Sequence, residues 1–427
     1  MAKRYIRINN GQGWVNKPST ATPVNDVNLN HMDKGIDDLD NAIEDLYNVL
    51  PHLKAIKEVD DFSTDYSMYE NASNIVDSTS AINTTNKTLT ITKGVYFSNS
   101  YKAHMLMSYG RNVIINTVFS PSNQYPQIGL RCNAKDCIGA LVWYLNATMN
   151  GMNLLKINNN SGGQTTIYTG PTHDGNTTDD IEMSVRSYEN MTECIFRQNG
   201  RVIAMGRYIG SDFYSLQGVA NGLGANGIVI YKKYLKAMEL RNYINIICLG
   251  DSNTAGNGLT QKDTYPALLQ NRFFDYNAGV INKGVSADRI ANVVSRLSAD
   301  VYGQKVTSAR NIVVLQIGTN DATDGMSAAN IYNNIVNNLV NPMKQNGFEV
   351  WLSTIPARDN NSGARTIVKG VNNLILQDTN ADKVIDFYNR MVDSSDITVP
   401  GLLQADNLHL SAKSTNLLAA LIANELK

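Results

Sequence analysis

Hydrophobic spacing divides the chain into three stretches with different periods. Leu29, Met32, Ile36, Leu39, Ile43, Leu46 and Leu50 recur at intervals of three and four, the a/d seam of a heptad repeat. Asp26 or Asn28 can cap that helix, and Pro51 ends it. An isolated helix of this length is marginal in water, so the seam needs a partner. Two are open: copies of itself in a coiled coil, or the next domain. The narrow, strictly a/d stripe favours self-association. Residues 1–25 are broken by Gly11, Gly13, Pro18 and Pro23 and read as an irregular anchor, with the coiled-coil helix at 26–55.

From about 60 to 238 the pattern changes to short alternating segments between Gly, Asn, Ser and Pro clusters. Strands are expected at 88–92, 113–115, 139–145, 181–188 and 228–231. Residues 194–198 and 201–205 flank Asn199-Gly200, a hairpin signal because both central positions tolerate positive φ. So many short strands predict an all-β sandwich. The order of features, ending in 222–231, is similar to lectin-like (laminin-G or concanavalin-like) jelly rolls. Trp143 and Tyr125, if exposed there, could stack on sugars.

Residues 240–427 turn to strand–helix alternation. Strands are expected near 243–249, 279–282, 311–317, 348–354 and 384–387, with helices near 264–273, 287–298, 327–346, 364–377 and 411–426. This predicts a multidomain chain whose last part is an α/β three-layer domain with a parallel sheet.

The candidate chemistry lies in that last domain. The apolar run Tyr243-Ile244-Asn245-Ile246-Ile247-Cys248-Leu249 leads into Gly250-Asp251-Ser252, placing a serine at a strand's carboxyl edge, where ligands gather in open α/β sheets. A serine needs a base, and His409 is the only histidine beyond it, three residues after Asp406. Between them stand Asn282-Lys283-Gly284 and Gly318-Thr319-Asn320-Asp321, each after an apolar run. Any one of these blocks has a local reading as a cap or turn. Four in order are harder to explain that way.

Together they resemble the SGNH (GDSL-like) hydrolase family over about 240–427, which implies a flavodoxin-like fold. The resemblance implies Ser252 as nucleophile, His409 as base and Asp406 as the group that holds the imidazole tautomer. It implies an oxyanion hole from the N–H groups of Ser252 and Gly284 and the amide of Asn320, with no cofactor or metal. Ala287, in place of a frequent second glycine, and Ser414, in place of a frequent glycine after the histidine, depart from the family pattern.

Composition narrows the setting. A formal net charge of −1 gives no global field towards nucleic acid or anionic membrane. No segment reaches the roughly 18–20 apolar residues of a membrane span, and the basic start lacks the apolar core of a signal peptide. Cys132, Cys137, Cys194 and Cys248 show no metal spacing and read as reduced thiols, with a 132–137 disulfide as the alternative. Gly222-Leu223-Gly224-Ala225-Asn226-Gly227 matches a dinucleotide fingerprint but opens no helix. His173-Asp174-Gly175-Asn176 with Asp179 and Asp180 does not fit a calcium-loop spacing and reads as a solvated turn.

Anchor, seam, sandwich and terminal hydrolase together resemble a bacteriophage tail or baseplate protein, as does the segment Thr22-Pro23-Val24-Asn25-Asp26-Val27-Asn28-Leu29-Asn30-His31-Met32. That resemblance implies a virion protein, made in the host cytoplasm and acting at the host surface. Its partners would be other tail proteins and a host glycan or wall polymer. The seam residues lean to a dimer, while the resemblance implies a homotrimer. The expected activity is serine ester hydrolysis, removing O-acetyl groups from polysaccharide. A glycan-gripping binding module and a free bacterial lipase or esterase are the competing readings.

Overall fold

The computed structural model describes residues 57–60, 69–71, 80–83, 85–86, 88–91, 104–106, 112–119, 125–132, 140–145, 152–158, 163–169, 180–210, 220–226 and 229–426. The anchor, the heptad seam, the 173–179 turn and Cys137 lie outside them. The described strands before residue 240 all pair antiparallel, in one eight-stranded and one seven-stranded sheet. Five of the expected segments are strands, several longer than expected: Thr88–Ile91, Val113–Phe119, Ala140–Leu145, Ile181–Tyr188 and Val229–Glu239. Met191–Gln198 and Arg201–Ile209 form the hairpin, with Asn199 and Gly200 both at positive φ (49° and 71°). Residues 222–226 of the glycine-rich fingerprint lie in the strand Ala220–Asn226 and open no helix there.

The last domain is built on five parallel strands, β1 (Ile244–Gly250), β2 (Ala278–Gly284), β3 (Arg310–Gln316), β4 (Glu349–Ser353) and β5 (Lys383–Ile385), in the order β2-β1-β3-β4-β5. This is the flavodoxin-like order. All seven residues of β1 are buried, as its unbroken apolar run requires of a central strand covered on both faces. Around the sheet lie α1 (Ser252–Ala255), α2 (Tyr265–Arg272), α3 (Ile290–Asp300), α4 (Thr319–Thr323), α5 (Ala328–Ile335), α6 (Ser362–Ile375) and α7 (Ala412–Asn424). Thr264 caps α2 and Pro266 sits in its first turn, where a missing N–H costs nothing. The single helix expected over 327–346 is α5 continued through a π-helical turn (Val336–Val340) into Asn341–Gln345. Periodicity does not reveal such a turn, because it widens the helix without breaking it. Among the described residues no helix is long and apolar enough to cross a membrane.

A buried ionic cluster joins the antiparallel region to the amino ends of these strands. Arg186, Glu193 and Arg207 are all nearly inaccessible. Glu193 accepts from Arg207 at 2.7 Å, Arg186 at 3.4 Å and the Tyr243 hydroxyl at 2.5 Å. Arg186 also donates to the carbonyls of Phe273, Phe274 and Ala278, and Arg207 to Asn245. Burial works to raise the Glu193 carboxyl, but Arg207 and Arg186 hold it below its ordinary value. Beside the cluster, Ile195 and Val202 of the hairpin pack on Ala267 and Phe274. Glu193→Gln would leave two buried guanidinium groups without a counter-charge, and breaking a buried pair costs about 3–5 kcal/mol. Denaturant unfolding should show a loss of that order; a loss below about 1 kcal/mol would mean the cluster contributes little.

Candidate active site

The nucleophile turn follows directly from β1. Asp251 is the N-cap of α1, its carboxylate accepting from the N–H of Asn253 at 3.0 Å. Ser252 is then the first residue of the helix, so its own N–H has no intrahelical acceptor and stays available. Gly256 ends the helix at φ 86° with its N–H on the Ser252 carbonyl at 2.9 Å. Four residues of helix thus present one hydroxyl and one free amide at the sheet's carboxyl edge.

Far along the sequence, the turn before α7 brings the other partners. Ser252 Oγ lies 3.0 Å from His409 Nε2, and Asp406 Oδ2 lies 2.5 Å from His409 Nδ1. Asp406 Oδ1 accepts the N–H groups of Leu408 and His409, both at 3.0 Å. Burial works to raise this carboxyl, but those N–H groups and the imidazole bring it down to about 2. An ionised carboxylate only accepts, so His409 Nδ1 carries a proton and Nε2 is left to accept from the serine hydroxyl. The positive φ of Asn407 (56°) makes the tight turn that sets acid and imidazole on one side. The structure therefore brings serine, histidine and aspartate together in one hydrogen-bonded line.

The oxyanion donors come out differently. Asn320, on α4, donates one amide hydrogen to the Asp288 carbonyl at 2.8 Å, which fixes the side chain and leaves a second hydrogen. The Gly284 N–H is already donated to Asn282 Oδ1 at 2.9 Å, so the structure does not offer it to a substrate. Glycine is required there for another reason. A Cβ would fall 2.1 Å from the Ala255 nitrogen, so only glycine lets the end of β2 approach α1. The close approach in the structure is to the nucleophile helix. Both departures from the family pattern are accommodated. Ala287 takes the left-handed conformation (φ 67°) that a glycine would take without cost, and the buried Ser414 hydroxyl ties α7 to the Leu402 carbonyl at 2.7 Å.

Other residues that the sequence did not single out join the serine turn to the histidine turn. Asn253 Oδ1 accepts the Leu410 N–H at 3.0 Å. Gln404 donates to the carbonyls of Asn257 (2.7 Å) and Leu410 (2.9 Å), and its N–H to the His409 carbonyl (2.8 Å). Asn257 Nδ2 stands 3.3 Å from His409 Nε2. Two signals were available: Asn253 follows the nucleophile, and Gln404 sits in the Asp406–His409 loop. Amides are so common in this chain that neither stood out. Below the turn, Arg296 on α3 donates to the carbonyls of Gly250 (2.9 Å) and Lys283 (2.8 Å), holding the ends of β1 and β2 together. Among the described residues there is no cluster of three or more metal-ligating side chains, and Cys194 and Cys248 are buried free thiols. Burial pushes the Cys248 thiol up to about 12, which suits a core residue and not a nucleophile.

With this geometry in place, residues 248–414 match the GDSL-like Lipase/Acylhydrolase family. The chain is 30% identical over 171 residues to Esterase TesA of Pseudomonas aeruginosa, covering 38% of this chain and 78% of that protein. It is similar to the crystal structure of a lipase/acylhydrolase from Enterococcus faecalis at 26% identity, over 43% of this chain and 94% of that one, with a TM-score of 0.36. For a G-D-S-L family lipolytic protein from Desulfitobacterium hafniense the figures are 21%, 42%, 98% and 0.37.

The N-cap carboxyl beside the nucleophile generates a prediction. Burial pushes Asp251 up to about 7; the charges of Asp321 and Asp288 add to this, while the Asn253 N–H and Arg358 oppose it. The unfolded chain releases this proton near the ordinary value of about 3.9. The stability from keeping Asp251 protonated is therefore full below that value and is lost as pH rises to about 7. Three units set a ceiling of ~4 kcal/mol. Asparagine caps a helix as well as aspartate, so Asp251→Asn should remove the slope, and its stability relative to wild type should grow between pH 4 and 7. Parallel unfolding curves for the two proteins across that range would contradict the assignment.

Proposed function

The chain belongs to the GDSL-like lipase/acylhydrolase family through residues 248–414 and is a serine ester hydrolase of that family, and we propose that it removes O-acetyl groups from a host surface polysaccharide or wall polymer as part of a phage tail or baseplate. The observation that carries the catalytic part is the unbroken line from Asp406 through His409 to Ser252. In the proposed reaction Ser252 Oγ attacks the ester carbonyl carbon while His409 Nε2 takes the hydroxyl proton. The charge on the tetrahedral oxygen is met by the Ser252 N–H and the free hydrogen of Asn320. Gly284 could add its N–H only if Asn282 released it. Collapse breaks the ester C–O bond, with the proton passing from His409 to the leaving alcohol. Water then repeats the sequence on the acyl-serine and releases the acid.

Polysaccharide as the substrate is supported by the antiparallel sheets that precede the hydrolase and by the asparagine- and tyrosine-rich sequence. Phage assembly, most simply as a homotrimer, is supported by the heptad stripe at 29–50, whose axis would set several hydrolases against one polymer and multiply weak contacts. A second reading, a free bacterial esterase acting on small esters, is favoured by the likeness to an enzyme named Esterase TesA.

One assay separates the two readings. The full-length protein should release acetate from O-acetylated polysaccharide and hydrolyse p-nitrophenyl acetate, and Ser252→Ala should abolish both while the protein stays folded. Asn320→Ala should lower kcat by roughly 10²–10³ with a smaller change in KM, because an oxyanion donor acts on the transition state. Activity confined to small or long-chain esters, from a protein that light scattering shows to be monomeric, would leave the free-esterase reading. Full activity in Ser252→Ala would remove the serine assignment itself.

A further inference from the structure

Arg358 lies in the loop after β4 and is 1% exposed. Its Nη1 donates to the Thr319 carbonyl at 2.9 Å, to the Thr319 hydroxyl at 3.3 Å and to the Thr323 hydroxyl at 2.7 Å. Its Nε and Nη2 both donate to Asn360 Oδ1, at 3.1 and 2.9 Å. Every acceptor is neutral, and among the described residues no carboxylate lies within ion-pairing distance. A guanidinium this deep usually has a counter-ion, since an uncompensated buried charge is costly.

Its position suggests what the charge is for. Thr319, whose carbonyl Arg358 holds, precedes Asn320 on α4. On the other side, the N–H groups of Asp359 and Asn360 donate to the Asn407 carbonyl at 2.8 and 3.2 Å, within the Asp406–His409 turn. One side chain therefore braces the Asn320 segment against the acid–base turn. Burial pushes Asp251, the acid that feels this cation, up to about 7, so near neutral pH it offsets only part of the Arg358 charge.

We propose that Arg358 is a positioning residue that also supplies a fixed positive charge behind the oxyanion site, stabilising the tetrahedral intermediate through the Thr319–Asn320 segment without touching substrate. The proposal rests on the serine-esterase reading of Ser252 and Asn320. A preorganised charge in a dry site acts on the charge that develops in the transition state and little on the neutral ester.

Three variants of the full-length protein test this, with p-nitrophenyl acetate as substrate and phenylboronic acid as the anionic tetrahedral mimic. Arg358→Met should lower kcat about 10- to 100-fold with KM within about twofold, and weaken boronate binding by a similar factor. Arg358→Lys should restore part of both, because it returns the charge. Asn360→Asp is the decisive variant: it keeps the acceptor for Nε and Nη2 but neutralises the guanidinium in place, at an exposed position. A purely structural arginine would be held as well or better by that carboxylate, whereas the proposal expects kcat and boronate affinity to fall together. Unchanged kcat and boronate affinity in Asn360→Asp, or equal losses in the Met and Lys variants without weaker boronate binding, would overturn it. Fluorophosphonate labelling of the wild type, and its loss in Ser252→Ala, tests the serine reading separately.

Discussion

The hydrogen bond from the Leu410 N–H to Asn253 Oδ1 is the contact on which the site depends. Ser252 and His409 are 157 residues apart in sequence, and a nucleophile and base must meet within a few tenths of an ångström. Asn253 stands beside Ser252 and Leu410 beside His409, so their bond sets the gap between the reacting atoms. It is buried, which excludes water as a competing partner. Gln404 closes the same gap from the solvent side, gripping the Asn257 and Leu410 carbonyls with one amide nitrogen. The hydroxyl–imidazole contact itself is weak and exchangeable; these flanking bonds make it persistent.

Charge is distributed along the sheet with the same economy. At the amino ends, Glu193 faces two buried arginines and stays ionised below its ordinary value. At the carboxyl ends the sign is reversed: Asp251 is pushed up towards neutrality, and Arg358 keeps its charge among neutral acceptors. In the first arrangement one carboxylate and a set of backbone carbonyls share two guanidinium groups, which suits holding two regions together. The second places a buried cation behind the Thr319–Asn320 segment, with no carboxylate directly against it among the described residues.

Much of this was legible in the sequence, because the hydrolase strands are apolar runs and their motifs sit at strand ends. The strand Ile181–Tyr188, the Asn199-Gly200 hairpin and the five parallel strands follow from periodicity and turn chemistry alone. Ser252, Asp406, His409 and Asn320 were visible because each carries a reactive or polar group right after a strand or in a short turn. Gly284 was legible only in part, because glycine marks close approach without saying to what; here the neighbour is the Ala255 backbone. Arg358 was hidden for the opposite reason. A lone arginine in a loop reads as solvated surface, and only tertiary packing against α4 and Asn360 buries it. Arg186 and Arg207 were lost in the same way, since only their pairing with Glu193 is within one sheet and their other acceptors, Phe273, Phe274 and Asn245, come from the hydrolase region.

The docking of the two regions has a mechanical consequence for the catalytic edge. The hairpin Met191–Gln198/Arg201–Ile209 is anchored at the amino ends of β1 and β2 through Glu193 and Arg207 and runs beside α2. At its turn, Arg201 reaches Asp263 at 2.8 Å. Asp263 in turn accepts the Thr260 hydroxyl at 2.6 Å and, through its carbonyl, the Thr415 hydroxyl of α7 at 2.7 Å. The segment so pinned follows Asn257 and Gly258, the residues that stand against His409 and Gln404. The exposed Arg201–Asp263 pair contributes little energy on its own. The apolar contacts of Ile195 and Val202 with Ala267 and Phe274 hold the hairpin in place, and the pair only sets register. The antiparallel region is thus linked, through Arg201 and Asp263, to the segment that follows the nucleophile turn and to α7.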